Sequence, residues 1–269
     1  MNIILCGPGR SGTTLTSQIF SFHPEFSWIS GWVSRYPTLP QLAVFNTIYQ
    51  SQFLGINWAD VKFAPKPSEA YGFWRHYFPP FTSEQGSVSD QQLQKVRSCL
   101  KIIKKASNKP HFVTKITGET REQILDPLFE GDLIWVWIER DPRVVVSSYI
   151  KQKWGYKNNL EAFDKMSMNE KIRLNCNRYM HFYQDSKKLI DKKCLFYEDL
   201  CRDPEKFFKS LFNDLNIEFY DHQKCIINKW NIRQVGWGHY KDQYSKEEQD
   251  LLTELLKEPL LDYGYVNNR

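Results

Sequence analysis

The stretch from residue 3 to residue 22 constrains the fold more than any other part of the sequence. The apolar run Ile3-Ile4-Leu5-Cys6 leads directly into Gly7-Pro8-Gly9-Arg10-Ser11-Gly12-Thr13-Thr14, and a helical pattern covers Thr13–Phe22. Glycines let a backbone turn tightly and approach a ligand closely. The N–H groups that open a helix lack partners within it, and the helix dipole favours an anion beside them. The pattern therefore predicts a strand, an anion-binding loop and a helix, in that order.

Three more apolar runs predict further strands of a parallel sheet. They are mostly continuous rather than alternating, and they cover Phe112–Ile116, Leu133–Glu139 and Cys194–Tyr197. Continuous apolar runs are typical of strands buried on both faces, as in a parallel sheet covered by helices. Helical patterns lie between and after these runs, at Val144–Gln152, at Leu160–Leu189, after Asp203-Pro204 and at Ser245–Leu256. The alternation predicts a P-loop-type three-layer α/β fold, with a central parallel sheet flanked by helices.

Length and composition favour one globular domain. The chain has 269 residues, of which 41% are hydrophobic and 25% charged, so it can bury a large core. We expect a single domain over residues 1–269, with a proline- and aromatic-rich insertion around residues 36–90 that forms loops and short helices. The formal net charge is +5, and the basic residues are interspersed with acidic ones. Because nucleic-acid binding requires a basic stripe, we expect no nucleic-acid partner.

Nothing in the sequence predicts a membrane span, a secretion signal or a metal site. The most apolar run, Leu133–Ile138, is far shorter than the roughly 20 residues that cross a bilayer. The N-terminal apolar run is too short for a signal peptide and lacks a basic lead. None of the six cysteines has CxxC spacing, which disfavours a zinc site. We therefore expect a soluble, cytoplasmic protein without bound metal; its oligomeric state stays open.

The glycine-rich loop differs from an ATP- or GTP-hydrolysing loop at one position. Thr13 stands where the Walker A pattern has its lysine, which contacts the β- and γ-phosphates of a nucleoside triphosphate. The cation of this loop is Arg10, two residues before Gly12. The substitution argues against a small-molecule kinase of the P-loop type, which remains an alternative.

The segment Arg10-Ser11-Gly12-Thr13-Thr14-Leu15 resembles the 5′-phosphosulfate loop of the sulfotransferases that use 3′-phosphoadenosine 5′-phosphosulfate (PAPS). That loop reads as a basic residue, then Ser-Gly-Thr-Thr, then a large apolar residue. Arginine at the first position looks like the bacterial, tyrosylprotein and carbohydrate-type branches of the family. The resemblance implies that the 5′-phosphosulfate is held by Gly9, Arg10, Ser11, Gly12, Thr13 and Thr14. It also implies PAPS as the donor and no metal requirement.

A second motif follows the strand predicted at Leu133–Glu139. Arg140-Asp141-Pro142-Arg143 leads into a helix, and Ser148 lies eight residues after Arg140. An arginine fork binds phosphate in a bidentate manner, and about two helical turns bring the serine back to the same side. The resemblance implies that Arg140 and Ser148 bind the 3′-phosphate of PAPS. Taken alone, the motif also suits a helix cap at the surface.

Two weaker matches concern the adenine and a closing loop. Tyr197-Glu198-Asp199-Leu200 is similar to a family segment whose tyrosine lies close to the adenine, although a tyrosine at a strand end can equally belong to the core. Arg233-Gln234-Val235-Gly236-Trp237 partly matches a late loop that closes over the 3′-phosphate. The resemblance makes Tyr197, Arg233 and Gly236 candidate donor-binding residues.

The catalytic residues are less well defined. Sulfuryl transfer requires cations for the leaving phosphate and a general base for a neutral alcohol. Arg10 and Lys115 are the candidate cations, because Lys115-Ile116-Thr117 resembles a Lys-Thr-His segment of the cytosolic branch. Thr117 stands where that branch has its histidine base, so the general base stays open, and an amine acceptor with its own lone pair would depend on it less. The candidate bases, each of which can also be an ordinary surface or hydrogen-bonded group, are Glu69, Glu119 and His76.

The sequence does not identify the acceptor. The aromatic residues of the insertion either line an acceptor pocket or belong to the core: Tyr71, Phe73, Trp74, Tyr77, Phe78 and Phe81. We expect a hydroxyl or amine acceptor on a small metabolite or on a glycan or glycolipid. Besides the kinase alternative, a family member that binds the nucleotide without catalysis stays open.

Overall fold

Five parallel strands form the central sheet of the protein. The computed structural model describes residues 1–51, 61–82, 88–153, 155–156, 159–229, 232 and 239–267. The strands are β1 (Asn2–Gly7), β2 (Phe26–Ser27), β3 (His111–Thr117), β4 (Ile134–Glu139) and β5 (Lys193–Phe196). Their order across the sheet is β2-β3-β1-β4-β5, and every neighbouring pair is parallel. The predicted fold class is confirmed, while the two-residue strand β2 was not predicted.

Helices cover both faces of this sheet. They are α1 (Thr13–Ser21), α2 (Gly31–Arg35), α3 (Asn46–Ser51), α4 (Tyr71–Tyr77), α5 (Asp90–Ser107), α6 (Glu122–Phe129), α7 (Pro142–Lys151), α8 (Leu160–Lys165), α9 (Met168–Ser186), α10 (Tyr197–Arg202), α11 (Pro204–Asp214), α12 (Asp221–Lys229), α13 (His239–Gln243), α14 (Lys246–Leu255) and α15 (Lys257–Asp262). Short 3-10 turns lie at Pro40–Phe45, Pro79–Thr82 and Tyr265–Asn267.

The core follows the two-residue period of the strands. Ile4 and Cys6 of β1 face a buried cluster that includes α4, α5 and α6. Ile3 and Leu5 face the opposite cluster, which includes α1, α11 and α12. Because successive strand side chains point to opposite faces, a continuous apolar run fills both layers. A third cluster joins α7, α9, α14 and the segment around Tyr265.

Capping residues set the ends of several helices. Ser245 and Glu248 form the predicted capping box of α14, and Asp203 caps α11 with Pro204 in the first turn. The helical region predicted over Leu160–Leu189 contains two helices, α8 and α9, which divide at Met166-Ser167. Ser167 accepts a hydrogen bond from the Glu170 N–H and the Glu170 side chain bonds back, so a new helix begins there.

Four of the six aromatic residues between Tyr71 and Phe81 belong to the core. Phe73, Trp74, Phe78 and Phe81 have no exposed surface, and the Trp74 ring stacks on those of Phe78 and Phe81. Tyr71 and Tyr77 are partly exposed, and both hydroxyls donate to backbone carbonyls. Burial of these rings is what fixes α4 against α2 and α5. Of the two alternatives for this segment, the core alternative holds for the four buried rings.

The described residues contain neither a helix suited to crossing a membrane nor a cluster of metal-ligating side chains. In these ranges, none of the helices combines the length and the apolar character that crossing a bilayer requires. Across the same ranges, no group of three or more metal-ligating side chains is placed to hold a metal ion. All six cysteines are free thiols.

Candidate active site at the carboxyl ends of the strands

The predicted motifs converge because the strands are parallel. β1 ends at Gly7, β3 at Thr117, β4 just before Arg140 and β5 just before Tyr197. The chain builds β2 and β3 on one side of β1 and then β4 and β5 on the other. In open α/β sheets, ligands bind outside the carboxyl ends of the strands at such a switch point. Four sequence motifs therefore meet at one edge of the sheet.

The glycine-rich loop needs its glycines for close approach. A Cβ atom at Gly7 would lie 2.4 Å from the carbonyl oxygen of Ile138, and one at Gly12 would lie 2.3 Å from Cδ2 of Tyr197. Gly12 also has φ of 99° and stands at the N-cap of α1, where no side chain accepts a hydrogen bond from the first turn. The N–H groups of Thr13 and Thr14 therefore face outward from an uncapped helix start, which favours an anion.

Two arginines lie side by side next to this loop. Arg10 Nε donates to Ser148 Oγ at 3.1 Å, and Arg140 Nη1 donates to the backbone oxygen of Arg10 at 3.2 Å. The Arg140 guanidinium also lies 4.6 Å from the centre of the Tyr197 ring. The structure thus brings together Arg10, Arg140, Ser148 and Tyr197, which the sequence placed in three separate motifs.

Arg10, Arg140 and Tyr197 border a cavity of about 310 Å³. It is lined by Arg10, Gly12, Thr13, Thr14, Leu15, Gln18, Arg140 and Tyr197. Two arginines and no carboxylate stand among these described lining residues, so the cavity suits an anion. Gln18 was not predicted from the sequence, although a residue four positions after Thr14 on a helix faces the same side.

Two further loop residues are buried. Gly9 is buried, and Ser11 has no exposed surface. The Ser11 hydroxyl has no hydrogen-bond partner among the described residues. A buried hydroxyl without a partner is costly, so a polar ligand beside the loop would stabilise it.

The loop that carries Arg140 is braced by buried acids. Glu139 is fully buried and accepts hydrogen bonds from Trp137 Nε1, the Tyr179 hydroxyl and the Arg140 N–H. Burial raises the pKa of Glu139 to about 7, and the three donors oppose that rise. Asp141 caps α7, and Arg143 is paired with Asp141 through three nitrogen–oxygen contacts. Arg143, the second arginine of the motif, is therefore paired with the residue that caps α7.

Lys115 connects the loop to a carboxylate. Its Nζ donates to Thr14 Oγ1 at 2.9 Å and lies 3.6 Å from Glu69 Oε1. Glu69 also accepts a hydrogen bond from the Thr117 hydroxyl. Burial lowers the pKa of Lys115, while the charge of Glu69 opposes this shift. A cation and a carboxylate thus lie together at the end of β3, 46 residues in sequence from the segment that carries Glu69.

The other candidate bases lie in different surroundings. Glu119 is paired with Arg121, and its Oε1 lies 3.2 Å from His181 Nε2. His76 is exposed on α4, and its ring contacts Tyr77. It lies five residues after Tyr71, whose hydroxyl reaches the Thr117 carbonyl, so the two side chains are about 140° apart around the helix. Of the three candidates, Glu69 is the one whose carboxylate the structure pairs with Lys115. Arg233 and Gly236 lie outside the described residues.

A parallel sheet with a glycine-rich loop at its switch point and arginines beside it is typical of α/β proteins that bind phosphate esters. The model of the sulfotransferase family matches residues 2–221, and the chain belongs to this family. It is therefore an enzyme of the sulfotransferase kind. No curated protein matches the sequence at a significant level.

Solved structures share the fold at low identity. Sulfotransferase STF9 from Mycobacterium avium has a TM-score of 0.62 and 14% identity, with 96% of this chain and 76% of that one aligned. Sulfotransferase STF1 from Mycobacterium tuberculosis H37Rv has a TM-score of 0.55 and 13% identity, with 94% and 76% aligned. At such identities the likeness concerns the fold.

Proposed function

We propose that the protein transfers a sulfuryl group from PAPS to a hydroxyl or amine acceptor. The observation that carries this proposal is the polar connection from Thr14 through Lys115 to Glu69, with distances of 2.9 and 3.6 Å. It sets a cation and a carboxylate directly beside the loop whose helix start favours an anion. Sulfuryl transfer needs a cation beside the leaving group and a nearby base that accepts the proton of the acceptor.

The residues around the cavity fit the donor. Arg10 and the backbone from Ser11 to Thr14 would hold the 5′-phosphosulfate, and the unpartnered Ser11 hydroxyl adds a polar group there. Arg140 and Ser148 would bind the 3′-phosphate, and Tyr197 would border the adenine. When bound, PAPS supplies the sulfuryl group carried on its 5′-phosphate.

Glu69 is the general base in this proposal. It takes the proton from the acceptor as the acceptor atom bonds to sulfur, while Thr117 orients the carboxylate by its hydrogen bond. Lys115 and Arg10 stabilise the negative charge that stays on the departing phosphate oxygen. Because Lys115 is 6% exposed, its charge acts through a poorly screened medium.

The acceptor in this proposal is a small metabolite or a glycan or glycolipid. The segment that leads to Glu69 exposes apolar side chains, which could contact a partly apolar acceptor: Tyr36, Leu39, Val44, Ile48 and Phe63. Apolar contact area with a few fixed polar groups is the usual composition of small-molecule sites.

The first test measures donor binding. Adenosine 3′,5′-bisphosphate should raise the melting temperature of the wild type, because a ligand of the native state stabilises by mass action. ATP with Mg²⁺ should not, and Arg140→Ala should lose the shift. Arg202→Ala removes a cation from an exposed pair with Asp199 and should keep it. An equal melting-temperature shift with ATP, or no shift with the bisphosphate, would favour the kinase alternative over the proposed function.

The second test addresses the base. With labelled PAPS and an acceptor found by screening, Glu69→Gln should lower turnover by about 10²–10⁴-fold. Its affinity for the bisphosphate should stay near that of the wild type. Glu119→Gln is the matched control, since that carboxylate pairs with Arg121, and it should retain turnover. Loss in Glu119→Gln with retention in Glu69→Gln would refute this assignment.

A further inference from the structure

Glu198 joins two distant parts of the chain through its two carboxylate oxygens. Oε1 accepts the backbone N–H of Asp141 at 3.0 Å, and Oε2 accepts the hydroxyl of Tyr265 at 2.7 Å. Glu198 is 4% exposed and Tyr265 5%. Burial and the charge of Glu198 raise the pKa of Tyr265, so its hydroxyl keeps its proton and remains a donor.

A second contact joins Tyr265 to the same loop. The backbone oxygen of Tyr265 accepts a hydrogen bond from Arg143 Nη2 at 3.4 Å, and the same nitrogen lies 2.8 Å from Asp141 Oδ2. Tyr265 is therefore connected to Asp141 twice: Glu198 links its hydroxyl to the Asp141 backbone N–H, and Arg143 links its carbonyl to the Asp141 carboxylate. The 3-10 turn Tyr265–Asn267 is tied to the start of α7 at both points.

These contacts fix the backbone on either side of Arg140. Glu139 holds the Arg140 N–H at 3.0 Å, and Glu198 holds the next N–H, that of Asp141. Glu198 also follows Tyr197 directly, and the Tyr197 ring lies under the Arg140 guanidinium. Because two successive N–H groups are held by buried acidic side chains, the backbone of Arg140 is fixed where its side chain lines the cavity.

We infer that Glu198 and Tyr265 are positioning residues for Arg140, and that the segment around Tyr265 thereby sets the affinity for a 3′-phosphate. This rests on the proposed function, since it assigns the 3′-phosphate to Arg140. The residues touch no substrate atom; they act through the backbone of Arg140-Asp141. Their effect is accordingly specific to ligands that carry the 3′-phosphate.

The test compares two ligands that differ only in that phosphate. Tyr265→Phe removes the hydroxyl and should raise the Kd of adenosine 3′,5′-bisphosphate roughly 2–10-fold, the range expected from the net contribution of one hydrogen bond. The Kd of adenosine 5′-monophosphate should stay unchanged. Tyr183→Phe is the matched control: Tyr183 belongs to the same buried cluster as Tyr265, but its hydroxyl donates to Asp262 instead of to Glu198. It should leave both affinities unchanged.

Variants of Glu198 test the same inference independently of Tyr265. Glu198→Gln keeps an oxygen for the Asp141 N–H and should bind the bisphosphate more tightly than Glu198→Ala does. The inference is overturned if Tyr265→Phe and Glu198→Ala weaken both ligands equally, which would indicate a general structural role, or if they weaken neither. A wild type that binds both ligands equally would instead refute the assignment of Arg140, and with it the proposed donor site.

Discussion

Gly12→Ala tests how closely the glycine-rich loop and Tyr197 are packed. The added Cβ would lie 2.3 Å from Cδ2 and 2.7 Å from Cε2 of the Tyr197 ring. Carbon atoms in ordinary contact are about 3.5–4.0 Å apart, so the ring must move by more than about 1 Å. Arg140 lies over that ring at 4.6 Å, and it would have to move as well.

The loss of stability expected for Gly12→Ala has two causes, backbone strain and overpacking. Gly12 has φ of 99°, and a left-handed conformation costs a residue with a Cβ about 1–2 kcal/mol. Overpacking of this kind typically adds about 1–3 kcal/mol. We expect Gly12→Ala to lower the free energy of unfolding by about 2–5 kcal/mol, and to weaken binding of the bisphosphate because Arg140 is displaced.

Urea unfolding measures this cost, and Gly131→Ala separates its parts. Gly131 has φ of 84°, but a Cβ there would meet nothing within 4 Å, so its substitution reports the backbone cost alone. In a Tyr197→Ala background, Gly12→Ala should cost no more than Gly131→Ala. Close packing of Gly12 against Tyr197 is refuted if Gly12→Ala alone is no more destabilising than Gly131→Ala, or if its full cost persists without the Tyr197 ring.

Three further predictions follow from buried or bridging groups. The folded pKa of Glu139 is raised from 4.5 to about 7, so its stabilising contribution is complete below pH 4.5 and is lost as the pH rises to 7. Unfolding at several pH values should therefore show the wild type losing about 3 kcal/mol of stability relative to Glu139→Gln across that window. A stability difference that stays flat or rises with pH contradicts this prediction. Lys115→Met removes a buried ammonium, so turnover should fall by about 10²–10³-fold. The free energy of unfolding at pH 7 should also fall because Glu69 loses its cation, but by less than the about 3–5 kcal/mol of a fully buried unpaired charge, since Glu69 is 34% exposed. Unchanged turnover would exclude Lys115 from the leaving-group role. Ser148→Ala removes an oxygen that Arg10 contacts at 3.1 Å, and should raise the Kd of the bisphosphate by less than about tenfold with little change in urea midpoint; an unchanged Kd would remove Ser148 from the donor site.

Local patterns were sufficient to predict most of the fold and the loop. The strands β1, β3, β4 and β5 are continuous apolar runs, and such runs are visible without knowledge of their neighbours. The end of α8 and the start of α9 could have been predicted as well, because Ser167 and Glu170 have capping-box spacing. The strand β2 spans two residues, which is too few to show a period.

Long-range contacts account for what the sequence left open. Glu69, Glu119 and His76 were equal candidates in sequence, since only the packing of the insertion shows that Glu69 meets Lys115. The contact of Glu198 with Tyr265 spans 67 residues, and no local pattern indicates it. The aromatic residues of α4 have the same spacing whether they fill a core or line a pocket, so their burial had to be observed.

The two outer strands of the sheet affect how the protein behaves at high concentration. The central strands have six or seven residues, whereas the edges are β2 with two residues and β5 with four. An exposed edge can recruit a strand from another molecule through its unpaired backbone groups, and short edges offer few of them. Natural proteins use this device against edge-to-edge aggregation, so the described sheet is poorly suited to grow by adding strands from neighbouring molecules.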